Sequence, residues 1–224
     1  LLYALSEAFV FGIAGPFFWL MGLELLEIGS FWSNFYVIMV PMVFTALTLP
    51  LWGRMCDRFG SRPLITLGML SSTAFPALWL LATKSHYHVL LGAAAVIGGS
   101  IGSAVQVADM NMIFELTPRR NRSAFLAMVS LAASLGWVIA PSIGGAVAQL
   151  LKPVEVHLLG RTFGNLHFLM AISFAVRFVH IYAVVPLLPE EPKETTGALV
   201  RHLLTRPIDA LRGVSRRPKR LDGR

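Results

Sequence analysis

The sequence predicts an all-α membrane protein with six transmembrane helices, because its composition and its patterning both point to that class. The mean hydropathy is +0.67 and charged residues are only 14% of the chain, against about 25% in soluble domains. The apolar residues form six segments, each near the ~20 residues that a helix needs to cross a bilayer. Backbone groups in hydrocarbon must be hydrogen-bonded internally, so these segments are expected to be helices. Their bounds are Leu1–Leu25, Phe31–Trp52, Leu64–Thr83, Val89–Leu116, Ser123–Leu151 and Asn165–Leu188.

Positive charge sets the predicted orientation. Of the 19 Lys and Arg residues, 15 lie in the turn after the second segment, in the turn after the fourth, or in the tail after the sixth. Cytoplasmic loops are rich in Lys and Arg, so these places and both chain ends are expected to face the cytoplasm, across a cell (inner) membrane. The net charge of +7 does not indicate nucleic acid, because the basic residues lie between and after apolar segments. The lipid bilayer is the expected partner.

The first segment carries an acidic residue followed by residues that interrupt helices. Glu7 is expected in the cytoplasmic third of the span. An ionisable group inside a membrane indicates function by default, although Glu7 near the interface could equally contact water. Gly12, Gly15 and Pro16 are expected to bend or loosen the helix, and broken helices line substrate sites in transporters. The chain opens inside this apolar segment without Met, and we interpret it as a fragment of a longer protein.

The turn between the second and third segments carries a charged motif punctuated by glycine. It resembles the signature of the major facilitator superfamily, which joins the second and third helices of a six-helix half. The family's usual second basic residue beside Arg62 is missing here. The matching residues are Gly53, Asp57, Arg58, Gly60 and Arg62.

The resemblance implies half of a twelve-helix secondary transporter, built as two inverted three-helix repeats. Such a protein moves a small solute by alternating access and needs the other six-helix half, and a coupling proton is a candidate second partner. The turn with Pro118 and Arg122, and Ser173 with Arg177, resemble the carboxy-terminal half. The amino-terminal half is the alternative. The rival class is a non-transporting six-helix sensor or scaffold.

The fourth segment holds a stripe of small and polar residues. An ionisable group at the depth of Asp109, ~13 Å from the cytoplasmic end, is expected either to face a cavity or to form a structural pair. We expect Gln106 and Asp109 to face the central cavity, with Asp109 as a candidate for proton coupling. The residues that share this helix face are Gly98, Gly102, Gln106, Asp109 and Ile113.

The ends of the second and fourth segments are expected to form a gate. Asp57 and Glu115 end these helices at the same membrane face. The resemblance implies a cytoplasmic charge cluster here, made with the arginines of the turn, that holds the two halves together when the inner gate is closed. Each partly wet ion pair is expected to contribute only ~1 kcal/mol.

The fifth segment resembles the superfamily's Gly-Pro-x-x-Gly-Gly bend, with Ala140 in place of the first glycine. Pro141 removes a helix hydrogen bond, and the glycines let a neighbouring helix pack closely. The family associates this bend with antiporters, but we favour a packing kink. The residues concerned are Gly136, Pro141, Gly144 and Gly145.

Arg177 lies near the middle of the sixth segment and needs an acceptor. The intramembrane carboxylates are Asp109 and Glu7, and substrate binding is the alternative role for Arg177. We expect a structural ion pair with one of the two acids, because the sixth helix of a superfamily half is a peripheral support. Residues 1–189 are expected to form the bundle. Residues 190–224 form a basic tail, expected to be partly an amphipathic helix or disordered.

No enzyme, metal or cofactor site is predicted. The sequence has no nucleophile elbow, P-loop or zinc protease motif. His86 and His88 are not accompanied by a carboxylate or Cys, and a solvated loop is the preferred interpretation.

Overall fold

A computed structural model describes residues 1–117, 121–158, 161–188 and 194–205. Within this part of the chain, six helical stretches are long and apolar enough to cross a membrane, which confirms the predicted fold class. We number them spans 1 to 6: Leu2–Glu24, Gly29–Phe59, Ser61–Leu81, Tyr87–Leu116, Arg122–Leu150 and Asn165–Leu187. An antiparallel pair of short strands, β1 (Val156–Leu158) and β2 (Arg161–Phe163), lies between spans 5 and 6.

Spans 3 and 5 are single helices, whereas the other four contain interruptions or changes of helix type. Span 1 is α1 (Leu2–Gly12) and α2 (Gly15–Glu24), and span 2 is α3 (Gly29–Asn34), a π-helical turn (Phe35–Met39) and α4 (Val40–Phe59). Span 3 is α5 (Ser61–Leu81), and span 4 is α6 (Tyr87–Ser100) and α7 (Ser103–Leu116). Span 5 is α8 (Arg122–Leu150), span 6 is α9 (Asn165–Ala183) with a 3-10 turn (Val185–Leu187), and α10 (Thr196–Thr205) follows.

Most of the charged motif is helical, whereas the sequence was expected to form a short turn along it. Helix α4 continues through the motif to Phe59, and α5 begins at Ser61. Only Gly60 separates them, with φ +89°, a conformation that glycine adopts without strain. The last two turns of α4 therefore extend beyond the apolar segment, which ends at Trp52, and they carry charges at their surface.

Span 1 packs closely on span 5 through small residues. A Cβ at Gly136 would lie 2.6 Å from the Leu5 carbonyl oxygen, and one at Gly144 would clash with the Ile13 carbonyl. A Cβ at Gly145 would meet the Phe17 ring only at 3.6 Å. Pro141 lies inside a continuous helix. The packing of these glycines is therefore observed, while the expected bend stays a prediction.

Span 4 is interrupted at Ile101–Gly102, where it lies against span 2. Thr45 Oγ1 donates to the Gly99 carbonyl at 3.1 Å, and Trp52 Nε1 donates to the Ser100 carbonyl at 2.6 Å. Thr48 Oγ1 also donates to the Ser100 carbonyl, at 3.1 Å. Side chains of span 2 thus satisfy carbonyl groups beside the interruption.

Two apolar clusters form the core, one near each end of the bundle. The cluster at the Gly60 end includes Phe59, Met112 and Leu199 of α10, and Leu199 is completely buried. The opposite cluster includes Phe18 and Trp79. The part of the predicted tail at Thr196–Thr205 is therefore a helix with its apolar side on the bundle. Residues 190–193 and 206–224 of the predicted tail lie outside the described residues.

Candidate functional site

A cavity of about 330 Å³ lies among spans 1, 4 and 5, and we call it the carboxyl cavity. Both predicted intramembrane acids line it. Glu7 comes from α1 and Asp109 from α7, and the rest of the wall is almost entirely apolar. The other side chains include Phe11, Met112, Ile113, Phe125, Val129 and Trp137.

Tyr3 joins the two acids in a polar cluster. Its hydroxyl donates to Asp109 Oδ1 at 2.9 Å. Tyr3 and Glu7 are four residues apart on α1 and so share a face, and the Glu7 and Asp109 carboxyl groups lie within hydrogen-bonding reach of each other. The sequence reasoning missed Tyr3, although its helical spacing to Glu7 was a usable signal.

A second cavity of about 420 Å³ lies beside the first, and we call it the arginine cavity. Arg177, Gln106 and Ser72 line it together with aromatic side chains. Glu7 borders both cavities, as do Phe11 and Trp137. The polar stripe of span 4 divides between them: Gly98, Gly102 and Gln106 face the arginine cavity, while Asp109 and Ile113 face the carboxyl cavity.

In the described part of the chain, Arg177 does not form the expected ion pair with Glu7 or Asp109. Within the described residues its guanidinium donates from Nη1 to the Ser72 carbonyl at 3.0 Å and from Nε to Ser173 Oγ at 3.4 Å. It also lies over the Phe11 ring, 4.6 Å from the centroid. A backbone carbonyl and an aromatic face replace the carboxylate, because Glu7 and Asp109 are turned towards each other and Tyr3.

The predicted gate residues Arg58, Arg62 and Glu115 each contact a different partner at the Gly60 end of the bundle. Arg62 donates to the Pro186 carbonyl at 2.9 Å, which ties span 3 to the end of span 6. Asn111 donates to Glu115 at 3.2 Å and to Ser61 at 3.1 Å, so Glu115 connects to the start of span 3 through Asn111. Arg58 lies 3.4 Å from His202 of α10.

Asp57 and Gly53 occupy the outer surface of α4. Asp57 is exposed, and a Cβ on Gly53 would meet nothing within 4 Å. The close helix approach that usually explains such a glycine is therefore not made within the described part of this chain.

Comparisons with known proteins agree on one family. The profile of the Major Facilitator Superfamily matches residues 1–221. The chain is 30% identical over 138 residues to "Multidrug resistance protein MdtG" of Dickeya zeae (strain Ech586), covering 60% of this chain and 32% of that protein. It is 29% identical over 163 residues to "Tetracycline resistance protein, class E" of Escherichia coli, covering 72% and 38%.

A third relative, "Quinolone resistance protein NorA" of Staphylococcus aureus (strain Mu50 / ATCC 700699), is 24% identical over 123 residues, which cover 55% of this chain and 31% of that protein. The matched region thus spans about a third of each of these relatives. With a profile match over nearly its whole length and six apolar spans, the chain is an integral membrane protein that belongs to the major facilitator superfamily.

Proposed function

We propose that this chain forms one half of a secondary active transporter that moves a small, largely apolar solute by alternating access. The relatives named above are resistance proteins for several drugs, tetracycline or quinolones. The apolar lining of the carboxyl cavity suits a solute of that kind. The other six-helix half would supply the opposite wall of the path.

The observation that carries the proposal is the cluster of Tyr3, Glu7 and Asp109 inside an apolar wall. In a region of low dielectric an ionised carboxylate is costly unless it is paired, so the cluster favours binding a proton. Tyr3 donates a hydrogen bond to Asp109 and can hold it while the proton leaves. Asp109 and Glu7 would thus exchange a coupling proton with one side of the membrane at a time, and the solute would use the same path.

The remaining assignments extend this proposal. The chain is taken as the carboxy-terminal six helices of a twelve-helix protein of a cell (inner) membrane. The excess of positive charge supports a cytoplasmic location for the Gly60 end, the end of span 4 and the tail. Residues 1–189 would form the membrane bundle, and residues 190–224 the cytoplasmic tail.

The test is Asp109→Asn in the full-length protein, reconstituted in proteoliposomes with tetracycline as the probe. We expect loss of uphill movement driven by a pH gradient, while downhill tetracycline exchange continues, because the amide keeps the shape of the carboxyl group but cannot bind and release a coupling proton. Glu27→Gln is the matched control. It removes an exposed carboxylate whose surface pair with Lys84 contributes little.

Two outcomes would contradict the proposal. Normal uphill transport by Asp109→Asn would exclude proton coupling at this residue. Absence of transport by the unaltered protein, for tetracycline and for a quinolone, would favour the non-transporting sensor or scaffold.

A further inference from the structure

Arg177 is a buried cation held in place by neutral groups. Its side chain is only 4% exposed. The Ser72 carbonyl, the Ser173 hydroxyl and the Phe11 ring fix the plane of the guanidinium. Among the described residues no carboxylate forms an ion pair with it. A cation at this depth is costly without an anionic partner.

The donors that remain point to a partner in the cavity. The described bonds use Nε and Nη1, and a guanidinium carries five N–H donors in a planar fork. Arg177 also lines the arginine cavity, so the Nη2 group is the natural donor to a molecule there. This fork matches a carboxylate in shape and charge.

The rest of the arginine cavity favours an aromatic body beside that anionic group. Phe18 and Phe75 meet edge to face with centroids 4.7 Å apart, which presents a rigid apolar wall. Gln106 supplies a neutral polar group that can accept or donate a hydrogen bond. The volume of about 420 Å³ is within the range of small-molecule sites. A single cation suits one negative charge and does not suit a polyphosphate.

We propose that the arginine cavity binds the carboxylate of an aromatic organic acid, with Arg177 as the anion-binding residue. This inference rests on the proposed transport function and gives it a substrate class. The carboxylate accepts from Nη2, and the ring lies between Phe11 and the Phe18–Phe75 wall. Arg177 thereby changes from a structural support to a residue that determines specificity.

The experiment measures equilibrium binding to the purified full-length protein in nanodiscs, by calorimetry. Three probes share one ring system: 1-naphthoate is anionic, 1-naphthamide is neutral and 1-naphthylmethylammonium is cationic. We expect the unaltered protein to bind naphthoate about tenfold or more tightly than naphthamide, because a hydrogen bond to a charged group is stronger than a neutral one. The ammonium probe should bind most weakly.

Variants assign the preference to one side chain. Arg177→Gln should weaken naphthoate about tenfold or more and leave naphthamide within about twofold. Arg177→Lys keeps the charge but loses the planar fork, and should retain part of the preference. Phe75→Leu is the matched control for the wall and should weaken all three probes alike.

Equal binding of naphthoate and naphthamide by the unaltered protein would overturn the inference even if Arg177→Gln does not fold. Unchanged naphthoate binding in a folded Arg177→Gln would also overturn it. The measurement needs no turnover, so its failure is distinct from failure of the proposed function. Selective naphthoate binding without any transport would support this site and contradict the transporter, whereas transport without anion preference would contradict this site alone.

Discussion

At the scale of single residues, the carboxyl cavity depends on how Tyr3 orients Asp109. A carboxylate on a two-bond side chain can rotate, and the Tyr3 hydroxyl fixes one of its oxygens at 2.9 Å. The other acid, Glu7, lies one helical turn from Tyr3 on α1. A donor and an acid carried by the same face of one helix will approach or leave Asp109 together. This couples the position of α1 to the environment of the Asp109 carboxyl group.

We expect Tyr3→Phe to slow proton-driven transport by up to about tenfold, because it removes one hydrogen bond to a charged group and little packing. Proteoliposome uptake would measure the rate. The control is Tyr182→Phe on span 6, since the Tyr182 side chain is 66% exposed. An unchanged rate in Tyr3→Phe would mean that the hydroxyl has no part in the coupling step.

At the scale of elements, spans 1 and 5 are held at close range by residues without side-chain bulk. Gly12 faces Ala140, where an added Cβ would lie 3.0 Å from the Ala140 Cβ. Gly136 and Gly144 contact backbone of span 1 on either side of this point. Without a strong hydrophobic drive between helices in lipid, such close contact is a main source of helix association. The alanine that departs from the family pattern is therefore accommodated by a glycine opposite it.

Gly144→Ala and Gly145→Ala make a matched pair at this contact. The first places a methyl group against the Ile13 carbonyl and should destabilise the protein by about 1–3 kcal/mol, lowering the melting temperature by several degrees. The second places it at ordinary distance from Phe17 and should be neutral or slightly stabilising. Thermal unfolding in detergent measures both. Equal melting temperatures would show that the contact can relax.

The sequence predicts some of these elements well and others poorly, for physical reasons. Runs of apolar residues identify the spans, because the thickness of the bilayer dictates their length. Gly12, Gly15 and Pro16 indicate the interruption of span 1, since each acts on the local backbone. The predicted carboxylate partner of Arg177 is not observed among the described residues. Opposite charges in a sequence suggest a pair, but the sequence does not give the distance between the two side chains. Tyr3 was missed because its helical spacing to Glu7 shows only that the two share a face, and the fold alone brings Asp109 beside them.

At the scale of the whole molecule, contacts at the Gly60 end bring four spans and α10 together. Arg62 connects span 3 to span 6, and Asn111 connects span 4 to span 3. Arg58 connects α4 of span 2 to α10. In the apolar stretches of spans 2 and 5, only 11% of the residues are buried inside the protein, against 39–44% in the other four spans. These two spans therefore present most of their apolar surface to lipid or to another protein segment.

Asp57→Asn is expected to slow transport about fivefold without unfolding the protein, because loss of ~1 kcal/mol from one conformation shifts a two-state balance by that factor. The uptake rate and the melting temperature would be measured together. Glu27→Gln again serves as the control at an exposed surface carboxylate. A normal rate in Asp57→Asn would contradict the gating role and leave the motif as a topological feature.

Three side chains of span 2 clasp span 4 where its helix is broken. An interrupted helix normally bends most easily at the interruption. Here the side chains of Thr45, Thr48 and Trp52 donate hydrogen bonds to the Gly99 and Ser100 carbonyls beside it. We therefore expect spans 2 and 4 to move together as one rigid unit. A tilt of span 2 would then tilt α7 as well, and would shift Gln106 and Asp109 along the membrane normal. Span 2 contributes no ionisable side chain to the described lining of either cavity. Its motion would nevertheless change the positions of residues that line both.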